Sequence, residues 1–202
     1  MINKGAKSII FIFAALLLLT PLASQAFSWH WWWQDDSEPV VSTPAQLTMM
    51  QKNQVQVKYD AWNNAWQKKD ISLLLQQPEN LQWSGEELNY IITQAIADDE
   101  NIPVHDVQIA LADREVTITG TILKPLSGDF ELVVRPVSLG SELYFYVAKV
   151  RFKGFYFPKF IASRLLDSYL EPVLQWLYTA PNYDTIDLLS SDDGLSLSYT
   201  YQ

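Results

Sequence analysis

The sequence contains no cysteine and only two histidines in 202 residues. Without cysteine there is no disulfide framework, thiolate metal site, cysteine nucleophile or lipid-modified cysteine. His30 alone is no metal site, since a structural or catalytic centre needs three or four ligands. Basic residues are also scarce, 14 Lys and Arg against 23 Asp and Glu for a net charge of −9. An isoelectric point near 4.6 argues against nucleic acid as a partner, because phosphate binding draws on clustered cations. The P-loop, the G-x-S-x-G elbow, H-E-x-x-H and the dinucleotide fingerprint are all missing. No cofactor and no catalytic residue are therefore expected, and the chain reads as a non-enzyme.

What is present begins with an address. Lys4 and Lys7 precede an unbroken apolar run at residues 9–19, followed by Thr20, Pro21 and small residues up to Ala26. A basic start, a short apolar stretch and small residues at the cleavage position make a secretory signal peptide over residues 1–26. The run would be about 16 Å long as a helix, well short of the roughly 20 residues that span a bilayer. An uncleaved anchor is the competing reading. Cleavage would leave 12 basic against 23 acidic residues, a net charge of −11. The expected location is outside the cytoplasm, periplasmic or otherwise extracytoplasmic, with membrane association possible.

Residues 27–45 read as a flexible stem. Trp29, Trp31, Trp32 and Trp33 crowd around His30, and Pro, Ser, Thr and acids follow without any period. Tryptophan favours the membrane–water interface, so a membrane foot is one reading. A sugar-stacking patch and simple packing on the domain are the others.

Residues 46–202 carry the pattern of one α+β domain. The 45–77 region is helical, with Val55, Tyr59, Trp62 and Trp66 at steps of four, three and four on one face. Ser84 and Glu87 form a capping box ahead of an apolar face of Leu88, Ile91, Ile92, Ala95 and Ile96. The acids that follow, at 98–100, lack the glycine-punctuated spacing of a calcium loop and read as a solvated turn. From Val104 the period becomes two, and four alternating strands follow; in the last of them Tyr144, Tyr146, Ala148, Val150 and Phe152 would share the apolar face. A long apolar helix over 159–180 comes next, with Pro172 inside it, and a hairpin closes the chain at 183–201. A helix apolar over more than half its circumference needs cover on several sides. The expected fold class is α+β, with a curved antiparallel meander wrapping a long amphipathic C-terminal helix, N-terminal helices and a C-terminal hairpin.

Lys149, Arg151 and Lys153 share a strand face by alternation, with Lys159 and Arg164 just beyond. They read either as a solvated face blunted by lysine or as a contact for anionic headgroups or polymers beside Phe155, Tyr156 and Phe157.

The segments SGEELNYIITQAI, VTITGTI, FELVVRPVSLGSELYFYVAKVRFKGFYFPKF and IASRLLDSYLEPVLQWLYTAPNY resemble two groups of bacterial envelope proteins of unknown function, the YpmS-like and YceB-like families. Both are similar to the SMP/TULIP-type lipid-binding architecture. The resemblance covers about residues 84–202 and rests on element order and hydrophobic rhythm. It departs from the YceB-like pattern in lacking a lipobox cysteine, and it passes down no catalytic residues.

The resemblance implies a lipid or other hydrophobic small molecule held in a groove between sheet and long helix. Candidate lining residues are Tyr146, Val150 and Phe152 on the strand and Leu166, Tyr169, Leu170, Val173 and Trp176 on the helix. The alternative is a non-catalytic envelope module whose core is fully packed. It would contact an envelope protein, cell-wall polymer or membrane surface through the Trp stem or the Lys149, Arg151 and Lys153 face.

Overall fold

A computed structural model describes residues 47–97, 104–123 and 127–201 of the chain, with the side chains of Leu165 and Tyr169 excepted. The signal segment, the stem with Trp29, Trp31, Trp32 and Trp33, and the acids at 98–100 lie outside the described residues.

Helix α1 (Met49–Lys68) starts at a capping box in which the Thr48 hydroxyl accepts from the Gln51 amide and the Gln51 side chain accepts from the Thr48 amide. It stops where Lys69 turns left-handed at φ 52° and donates its amide to the carbonyls of Ala65 and Trp66. The helical pattern expected over 45–77 is thus divided. A single turn, α2 (Ser72–Leu75), a 3₁₀ turn (Pro78–Leu81) and the two-residue strand β1 (Gln82–Trp83) complete the stretch. Helix α3 (Gly85–Ala97) forms on its expected cap, the Glu87 amide donating to Ser84 Oγ at 3.1 Å and the Ser84 amide to Glu87 Oε2 at 2.8 Å.

Strands β2 (Val104–Ala112), β3 (Glu115–Ile122), β4 (Gly128–Leu139), β5 (Glu142–Phe152) and β6 (Phe155–Tyr156) form a five-stranded antiparallel meander in sequence order. Helix α4 (Lys159–Leu177) follows, and then the hairpin β7 (Tyr183–Ser191) and β8 (Gly194–Tyr201). The hairpin belongs to a separate three-stranded sheet ordered β1-β8-β7.

This corrects the expected architecture, although the class is α+β. The strands divide between two antiparallel sheets instead of one curved sheet wrapped around a helix. Nor is there, among the described residues, the long C-terminal helix that such a sheet was expected to wrap. Among the described residues the longest helix, α1 with 20 residues, lies at the N-terminal end. The 19-residue α4 sits between the two sheets in sequence, runs past Pro172, and ends three residues earlier than expected.

Two apolar clusters result. In the first, α3 supplies Ile92, the meander supplies Val104, Ile118, Leu132 and Val147, and α4 supplies Ala162, Leu166 and Leu170. In the second, Ala65, Ile71 and Leu74 meet Trp176, Leu177, Ile186 and Leu197. Phe145, Val173 and Leu174 touch both. α4 is therefore shared between the two cores.

On either side of the meander one residue has its outward backbone groups taken up by a side chain. Asn89 of α3 donates from Nδ2 to the Ile109 carbonyl at 2.8 Å and accepts the Ile109 amide at 2.6 Å. At β5, the Tyr178 hydroxyl accepts the Leu143 amide at 2.8 Å and donates to the Leu143 carbonyl at 3.1 Å. Both contacts occupy backbone groups that an edge strand would otherwise offer to another chain. The hairpin is tied on at Ser190, which accepts the Arg114 amide on its carbonyl at 2.8 Å, while its buried hydroxyl lies 3.0 Å and 2.8 Å from the carbonyls of Ala112 and Glu115.

Candidate functional site

A bulge decides which residues of β5 face where. Val133 pairs with Lys149 but Val134 pairs with Val147, so Ala148 is the extra residue. An extra residue reverses the alternation beyond it. Before the bulge the odd positions Leu143 and Val147 are buried; after it the even positions Val150 and Phe152 pack on the core. Tyr146 thus falls on the opposite face from Val150 and Phe152, and is 54% exposed.

The remaining candidate lining residues also separate. Leu166, 1% exposed, and Leu170 are buried in the first cluster. Trp176 is buried in the second, edge-on to Trp62 and Trp66 at centroid distances of 5.7 and 5.1 Å. Its Nε1 finds no hydrogen-bond partner among the described residues. Val173 is partly buried and touches both clusters. The Tyr169 side chain lies outside the described residues. The seam between α4 and β5 therefore brings Val150, Phe152, Leu166 and Leu170 into one cluster and leaves Tyr146 and Trp176 elsewhere.

The basic residues divide in a similar way. Lys149 and Arg151 share the outer face of β5 and share one carboxylate, Glu131, at 3.0 and 3.8 Å. Lys153 is no longer on the strand. With Gly154 it makes the two-residue turn between β5 and β6, at φ 51° and 78°, the left-handed pair that a tight hairpin with the native strand twist requires. Gly154 supplies that conformation without a side-chain clash.

At and just after this turn three large aromatic side chains are exposed. Phe155 is 67% exposed, Phe160 is 68% exposed and Tyr156 is also exposed. Phe155 and Tyr156 are held by pairing with Phe152 and Arg151, the Phe157 amide donates to the Val150 carbonyl at 2.9 Å, and Pro158 then caps α4 with Phe160 in its first turn. The Arg151 guanidinium lies 5.4 Å from the Tyr156 ring centre and the Lys153 ammonium 5.9 Å from that of Phe152, both within cation–π range. Lys153, Lys159 and Arg164 are exposed, and among the described residues none has a carboxylate within ion-pair distance.

Elsewhere, a pocket of about 330 Å³ lies between α3 and the β2 bulge, where Asp106 is left-handed at φ 52°. At its rim His105 Nδ1 lies 2.5 Å from Asp106 Oδ2, both in solvent. Among the described residues no group of three or more His, Cys, Asp or Glu is placed to hold a metal. Also among the described residues, no helix is long and apolar enough to cross a membrane. The chain matches no family model, no curated protein and no solved structure, so the resemblance to the YpmS-like and YceB-like proteins gains no support from those comparisons.

Proposed function

We propose that the protein is a non-catalytic module of the cell envelope, exported by its N-terminal signal, that acts by surface contact and not by holding a ligand inside. One observation carries this reading. The described side chains at the centre of the α4–β5 seam fill one another's space, while three large aromatic side chains stand in solvent at the β6–α4 corner. A lipid lodged in the seam would have to displace Leu166 and Leu170, at a cost of several kcal/mol in lost core packing. An exposed aromatic cluster beside unpaired cations has no such obstacle and marks an interaction site.

A second reading keeps a bound lipid or other hydrophobic molecule at the margin of the seam. What favours it is the incomplete burial of Val150, Phe152 and Val173. Mass spectrometry of the full chain from a bacterial envelope, run natively and after organic extraction, separates the two. The surface module is expected as the bare polypeptide mass. A stoichiometric extractable lipid would overturn it in favour of the second reading.

A further inference from the structure

We infer that the β5–β6–α4 corner docks on an anionic phospholipid surface. The rings of Phe155, Tyr156 and Phe160 enter the headgroup layer, and Lys153, Lys159 and Arg164 meet the phosphates. This rests on the surface-contact reading above and names the partner.

Charge commits the corner to that partner. Residues 143–166 contain five Lys and Arg and no acid, in a chain whose net charge is −9. Two of the five share Glu131; the other three, Lys153, Lys159 and Arg164, are exposed with no carboxylate within ion-pair distance among the described residues, and the Lys153 ammonium lies over the Phe152 ring. An acidic protein is repelled by an anionic leaflet everywhere except at such a patch, so charge fixes the orientation in which it can approach. The side chains match the depth profile of an interface. Phenylalanine is fully apolar, tyrosine has an apolar ring and a wet hydroxyl, and lysine and arginine reach outward on flexible stems. Here cations alone flank the rings along the chain. The turn is already fixed by its pairing and by Gly154, so little ordering opposes insertion.

The absence of cysteine permits a local test in the full chain. Phe155→Cys carries a single environment-sensitive nitrobenzoxadiazole label, and Leu189→Cys, an exposed position on the hairpin, carries the same label as a control. Each is mixed with phosphatidylcholine vesicles with and without phosphatidylglycerol, and pelleting is recorded in parallel. The label at 155 is expected to shift to the blue and brighten only with phosphatidylglycerol, and to revert in high salt, while the label at 189 stays aqueous. Lys153→Gln and Lys159→Gln are each expected to weaken the response about fivefold, the worth of one basic side chain near an anionic leaflet.

The inference is overturned if the 155 label stays aqueous, whether the chain pellets, as it would through its N-terminal segment, or remains in the supernatant. An equal response to phosphatidylcholine alone overturns the anionic partner. These failures leave the surface module standing with a protein or polymer partner, provided that the mass spectrum shows bare polypeptide. A stoichiometric lipid would remove the surface module itself.

Discussion

The two ends of α4 are both rich in large apolar side chains, and their circumstances are opposite. At the C-terminal end Trp176 and Leu177 are buried against α1, α2 and the hairpin. Trp176 is seated among rings that belong to distant parts of the chain, with Trp62 a further 6.3 Å from Trp83. At the N-terminal end Phe160 has no such seat and stands in solvent with Phe155 and Tyr156. One end is apolar because the fold needs it. The other is apolar without any described element to cover it, which is the mark of a surface that meets something else.

Substitutions should expose the contrast. Trp176→Ala is expected to cost about 3–5 kcal/mol in denaturant unfolding, from lost burial and the cavity left behind; a loss near zero would place the second core elsewhere. Tyr178→Phe leaves the Leu143 amide and carbonyl at the sheet edge without their partner, and should cost about 1–3 kcal/mol. Tyr199→Phe removes a hydroxyl that donates to the Leu177 carbonyl at 3.0 Å and should cost about 1 kcal/mol at neutral pH.

Burial pushes the Tyr199 phenol well above its ordinary value of 10.0, reinforced by the neighbouring Tyr183, Tyr201 and Tyr178. The folded state therefore keeps a proton that the unfolded chain releases above pH 10. This contribution is fully present below pH 10 and is lost as pH rises from there through the raised value. The Phe variant should lose less stability on moving above pH 10, which paired unfolding curves at neutral and alkaline pH would read. Phe160→Ser should change stability by no more than about 0.5 kcal/mol, the ordinary range for an exposed position; a core-sized loss would erase the contrast between the two ends.

Much of the element order was legible because local chemistry set it. Ser84 and Glu87 announce α3 and do cap it. Alternation from Val104 onward marks the strands, and the Val55, Trp62 and Trp66 stripe of α1 does face the interior. Three features were not legible, each for a physical reason. Around Ala148 both parities of β5 are apolar, Leu143, Phe145 and Val147 on one and Tyr144 and Tyr146 on the other, so periodicity cannot locate the bulge. Lys69 ends α1 in a left-handed turn without glycine or proline, an arrangement held by contacts and not by preference. The division into two sheets depends on β8 pairing with β1, more than a hundred positions earlier, and no window of sequence records so distant a partner. The candidate site divided along the same line. The corner aromatics and cations were visible as a run, whereas the fate of Lys149 and Arg151 depended on Glu131, a cross-strand neighbour.

That distant pairing also has a consequence in time. Residues 82–83 find their sheet partners only at 195–196, and the turn at Arg114 is held by Ser190. Neither the small sheet nor the shared helix can be sealed until residues 194–201 have appeared. Contacts this far apart make folding slow, so the growing chain stays open at least until that segment is made. On the export route proposed above, that delay would keep the chain threadable until β8 is across.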